Sequence, residues 1–148
     1  MTKLFTAKLM VAYLIGLFAV TLGGFYRADA TRNLVPLRTM EHDIRAGGSS
    51  FVINFLGNVA VTVPMGLMLA VLLGRRCSMP RVAAICLSTS LVIEVLQGLS
   101  GKRVADVDDV ILNTLGGVIG WGLWVAGRRW LAPRTDQVDP DQSPGTSA

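Results

Sequence analysis

The chain has 148 residues, 51% hydrophobic and only 16% charged, where a soluble domain carries about 25% charged residues. Mean hydropathy is +0.51 and the apolar residues come in long blocks without alternation. That pattern excludes a soluble globular domain and a spanning β-barrel, and leaves room for one compact helical bundle. The formal net charge is +4, but the basic residues sit in short runs beside apolar segments. Membrane orientation and anionic head groups account for such runs, so nucleic acid is not an expected partner.

Lipid offers the backbone no hydrogen-bond partners, so each apolar block long enough to span must be a helix. The first predicted span runs from Phe5 to Phe25. Lys3 and Lys8 before it and Ala28-Asp29-Ala30 after it resemble a signal peptide with its cleavage motif. The apolar run is longer than a typical signal core and Arg27 stands just before the motif, so the expectation is a retained first span. The loop from Tyr26 to Ser50 has enough apolar residues to lie on the membrane interface or dip into it. The second span, Phe51 to Leu73, contains Asn54 and Asn58, which read as buried. It also contains Pro64, which predicts a kink near Gly57 and Gly66 that would widen one mouth of the bundle into a cleft.

A tight loop, Arg75 to Arg81, leads into the third span, Val82 to Leu99, with Glu94 and Gln97 near its end. The fourth span, Val107 to Val125, opens on Asp106, Asp108 and Asp109, with Asn113 one turn on. The tail from Pro133 to Ala148, rich in Pro, Asp, Ser and Gly, has no apolar face and is expected to be disordered. The organisation expected is therefore an all-α polytopic membrane bundle of about four transmembrane helices over residues 1–132, followed by a polar tail over 133–148. There is no internal repeat. Cys77 and Cys86 have no metal-ligand spacing and read as free structural thiols, and neither a metal nor a cofactor is expected.

With the N-terminus inside, the inner ends hold eight of the Lys and Arg residues and the outer side six. The short Arg75–Arg81 loop is the stronger indicator, because short loops obey the positive-inside rule best. Both termini are therefore expected in the cytoplasm. Whatever the orientation, the second span starts, the third ends and the fourth starts at one surface. Asn54, Asn58, Glu94, Gln97, Asp106, Asp109 and Asn113 therefore gather there, with Arg103 in the adjoining loop. Helical spacing sharpens the convergence. Asn54 and Asn58 share a face, Ser90, Glu94 and Gln97 share another, and Asp106, Asp109, Asn113, Gly116 or Gly117, and Gly120 form a stripe. The small-xxx-small step from Gly116 to Gly120 lets another helix approach closely, so the stripe should face the bundle interior.

Each residue also has a plainer reading. Asp106 and Asp109 suit helix capping. Asp108 points off the stripe and reads as solvated or paired with Arg103 or Lys102. Asn54, Asn58 and Gln97 suit interhelical hydrogen bonds. Glu94, an acid inside a spanning segment, is by default a functional residue.

Together these residues resemble the VanZ-like family of small bacterial membrane proteins. The resemblance rests on Asn33-Leu-Val-Pro36, on Asn58, Pro64 and Gly66, on Ile93-Glu94-Val-Leu-Gln97, and above all on Arg103-Val-Ala-Asp106-Val-Asp108-Asp109-Val-Ile-Leu-Asn113-Thr-Leu-Gly-Gly. It departs from the family at Leu37 and Thr62, where aromatic residues are frequent, and lacks the extra helix of some members. The resemblance implies an all-helical protein of the cell envelope, in a family whose namesake is associated with resistance to the glycopeptide teicoplanin.

Three functions fit these readings. The first is a binding module whose cluster holds a membrane lipid, a cell-wall precursor or a lipoglycopeptide at the outer leaflet, with a divalent cation or Arg38 or Arg103 needed beside any phosphate. The second is a membrane enzyme in which Glu94 and Asp106 or Asp109 divide acid and base roles on a lipid-linked head group. No Ser-His pair, Cys-His pair or zinc spacing supports it, and no catalytic residue is assigned. The third is a structural subunit that packs on a partner through Gly116, Gly117 and Gly120. The oligomeric state is not set by the sequence.

Overall fold

The computed structural model describes residues 2–22, 35–45, 47–100 and 106–132. All its regular structure is helical: α1 (Thr2–Leu22), α2 (Arg38–Arg45), α3 (Ser49–Leu73), α4 (Met79–Ser100) and α5 (Val107–Leu131), with a 3-10 turn at Gly74–Arg76 between α3 and α4. Four of them, α1, α3, α4 and α5, are long and apolar enough to cross a membrane. The expected spans are all present. The third begins earlier than expected, at Met79, because Pro80 sits in the first turn, where its missing N–H leaves no bond unmade. The fourth runs on to Leu131, with Arg128 and Arg129 in its last turn at the negative end of the helix dipole. The cleavage motif at Ala28–Ala30 and the tail 133–148 lie outside the described residues.

Pro64 does not break α3, which runs through it as one helix of 25 residues. Packing centres on α5, which lies most closely against α3 and next against α4, while α1 lies outside, against α3 and α4. The reason for the α3–α5 approach is the absence of side chains. A Cβ on Gly116 would strike the Val59 carbonyl and the Thr62 hydroxyl, one on Gly120 the Val63 carbonyl, and one on Gly66 the Gly117 carbonyl. The small-residue stripe thus faces the interior, and α3 of the same chain covers it.

The interior divides along the bundle. One half is apolar: Met10, Met65, Met68, Val82 and Cys86, with Tyr13 and Trp121 packed against them. Tyr13 satisfies its hydroxyl by donating to the Val61 carbonyl at 2.7 Å. Both cysteines are free, Cys86 buried and Cys77 half-buried. Thr6, buried on that side, donates to the Thr2 carbonyl at 2.8 Å, and the other half contains the remaining buried polar side chains Thr62, Ser90, Glu94, Gln97 and Asp108. Buried polar groups persist only when hydrogen-bonded. Among the described residues no buried side-chain nitrogen or oxygen lacks a partner.

Candidate functional site: an acidic end tied together by α2

The short helix α2 was not expected from the sequence, which indicated an interfacial loop. Eight residues are too few to hold a helix in isolation. What holds its N-terminus is Asp108, 68 to 71 positions away in sequence. The Leu37 N–H donates to Asp108 Oδ1 at 2.5 Å, and the Thr39 and Met40 N–H groups donate to Asp108 Oδ2 at 2.9 and 3.3 Å. The first N–H groups of any helix have no partner within it. Here a carboxylate on α5 supplies the acceptors that a local N-cap side chain would ordinarily give. Leu37 adopts φ 67, a left-handed conformation rare for a leucine, and so turns its N–H toward the carboxylate. Asp108 is only 1% exposed. The expectation that it is solvated fails, because α2 folds over the face of α5 that an isolated helix would give to water. Its other suggested partners, Lys102 and Arg103, lie outside the described residues.

Asp106 is the N-cap of α5 in extended conformation, and its Oδ1 accepts the Asp108 N–H at 2.9 Å. Its Oδ2 accepts the Thr39 hydroxyl at 2.6 Å, and its own N–H donates to Glu94 Oε2 at 2.8 Å. One residue thereby joins α2, α4 and α5. Capping accounts for Asp106, and the acid inside the third span meets it through the backbone. Asp109, half-buried, accepts from Asn58 Nδ2 at 2.6 Å and ties α5 to α3.

Asn54 separates from its neighbour. It is exposed, and its Nδ2 donates to Asp43 Oδ2 of α2 at 2.7 Å, fastening the far end of that helix. Gln97, buried, donates to the Thr21 carbonyl at 3.0 Å and so ties the end of α1 to α4. Asn113 is half-buried one turn along α5. Arg103 lies outside the described residues. The structure therefore brings Asn58, Glu94, Asp106 and Asp109 to one end of the bundle, and adds Thr39, Asp43 and Asp108, which spacing alone did not reveal.

The described charges fall at the two ends of the bundle. Among the described residues, every acid lies at this end: Glu41, Asp43, Glu94, Asp106, Asp108 and Asp109. Arg38 and Arg45 are the cations there, and Arg45 pairs with Glu41 at 2.5 Å. The opposite end carries Lys3, Lys8, Arg75, Arg76, Arg81, Arg128 and Arg129. Arg128 stacks over the Trp124 ring at 4.8 Å, an arrangement suited to the membrane interface. Among the described residues, no three or more of His, Cys, Asp and Glu are grouped so that they could hold a metal ion.

Four spanning helices closed at one end by an acid-tied surface helix define a small polytopic helical membrane protein. Residues 9–129 match the family described as VanZ/LLP1, and the chain belongs to that family. No curated relative and no solved structure matches it.

Proposed function

We propose that this protein sits in the bacterial plasma membrane with its acidic end at the outer leaflet and both termini in the cytoplasm. There it binds a membrane lipid, a lipid-linked cell-wall precursor or a lipoglycopeptide. The orientation is supported by the short basic loop Arg75–Arg81 at the opposite end and, over the whole sequence, by that end's eight Lys and Arg residues against six on the other side. The observation that carries the binding reading is the pair of half-buried carboxylates, Asp106 and Asp109, at the mouth of the bundle beside buried Glu94. Acids at that depth are costly beside hydrocarbon, and these already hold partners within the bundle, so a ligand would meet a preformed polar cluster. Arg38 and Arg45 of α2 supply the cations that a phosphate-bearing ligand would need beside them.

The other two readings have less support. Glu94 and Asp106 are adjacent, but the contact runs through the Asp106 backbone, and both Asp106 carboxylate oxygens already accept hydrogen bonds. The glycine stripe that could seat a partner is occupied by α3.

The test is exposure of a susceptible host to a lipoglycopeptide, comparing wild type with Asp109→Asn and Glu94→Gln at matched membrane levels. Protection by wild type that both variants lose supports the reading. Equal protection by all three makes the acids structural. No protection by any of them turns the search to native lipids.

A further inference from the structure

The acid cluster leaves one feature of α2 unused. Its apolar residues Met40 and Ile44 are four apart and share a face, and Leu37, just before the helix, lies beside them. These three and Phe51 of α3 line an open, mainly apolar groove of about 390 Å³, with Glu41 and Arg45 at its rim. Leu37 and Ile44 are 57% and 56% exposed. Val52, Ile53 and Leu56, in the same first turns of α3 as Phe51, are exposed on a membrane-spanning helix. On the adjoining face of α2, Arg38, Glu41, His42 and Arg45 are all exposed, with Glu41 paired to Arg45 and Arg38 one turn before them. An apolar face beside two exposed arginines on a short helix at a membrane surface matches a lipid that has both an acyl chain and an anionic phosphate.

We propose that the groove between α2 and the start of α3 holds one acyl chain of an anionic phospholipid, whose phosphate lies against Arg38 and Arg45. Asp108 builds the site without lining it, because it fixes the N-terminus of α2, and α2 is the groove's outer wall. The proposal requires the membrane placement but not the ligand reading of Asp109 and Glu94.

The test uses the full-length protein in vesicles of phosphatidylcholine and phosphatidylglycerol. Either lipid is doped in turn with a trace of itself carrying a diazirine in the acyl chain. After irradiation, labelled residues are mapped by mass spectrometry. Labelling at Met40 and Phe51 is expected to exceed that at lipid-facing Ile53, and to favour phosphatidylglycerol by about fivefold, the weight of one interfacial arginine. Ile44→Trp, which fills the groove, and Asp108→Ala, which frees its wall, should each bring Met40 and Phe51 down to the Ile53 level. Equal labelling of Phe51 and Ile53 in wild type, or no response to either variant, overturns the groove as an acyl site. Equal labelling by the two lipids overturns its assignment to an anionic one. None of these outcomes bears on protection by Asp109 and Glu94, so the two readings fail separately.

Discussion

Replacing Asp108 with alanine should release α2 while leaving the four spanning helices in place. The side chain is 1% exposed and accepts three backbone N–H groups, two of them at 2.5 and 2.9 Å and the third at 3.3 Å. Two good bonds at about 1–1.5 kcal/mol each, with a weaker third, put the loss at roughly 2–4 kcal/mol. It falls on the docking of α2 alone, because the freed N–H groups recover water once the helix lifts away. At about 1.4 kcal/mol per factor of ten, amide exchange over residues 38–45 should accelerate by about 30-fold to several hundredfold. Hydrogen exchange by mass spectrometry, with the protein in lipid nanodiscs, measures this directly, and peptides from α3, α4 and α5 serve as the internal control. Asp108→Asn keeps one acceptor oxygen and turns a donor toward the other N–H groups, so it should fall between wild type and Ala. If exchange over 38–45 in Asp108→Ala stays within about threefold of wild type, a difference of well under 1 kcal/mol, the carboxylate does not hold α2. If α3 to α5 loosen equally, Asp108 supports the whole bundle and the local account is wrong.

The glycines of α5 give a paired test. Gly120→Ala would set a methyl against the Val63 carbonyl and should cost about 1–3 kcal/mol in denaturant unfolding from micelles, whereas Gly122→Ala, with open space around it, should be neutral or slightly stabilising. Equal effects of the two would show that α3 and α5 do not meet at Gly120. For the 2.6 Å bond between Asn58 and Asp109, a double-mutant cycle to alanine should give a coupling of about 0.6–1.7 kcal/mol, the range for hydrogen bonds between membrane helices. Additive single effects would mean that the bond contributes nothing.

The spans were readable from the sequence because continuous apolar runs need no tertiary information. The convergence of Asn58, Glu94, Asp106 and Asp109 followed from the helix count alone. The stripe from Asp109 to Gly120 was readable too, since spacing of three and four fixes a face and glycine marks close approach. Two things were not. The segment 38–45 carries apolar residues at helical intervals, but eight residues do not make a helix without outside support, and that support lies in α5. Asp108 was misjudged for the same reason. Its place off the stripe indicates solvent only while nothing covers that side, and no local signal ties it to Leu37. Asn54 shows the converse error. It shares a face with Asn58, but at the end of the bundle that face opens toward α2, so it is exposed and finds Asp43.

The long separation between Leu37 and Asp108 also sets an order on synthesis. The chain emerges N-terminus first, so α2 is made 71 residues before the carboxylate that receives its first N–H. Through the insertion of α3 and α4 it has no acceptor for its leading amides. A chain stalled after Ser100 would contain the whole of α2 and the Asn54 that fastens its far end, but nothing to receive its leading amides. The seated helix is thus a mark of the arrival of α5: a molecule into which that span has been inserted presents α2 with its leading amides received.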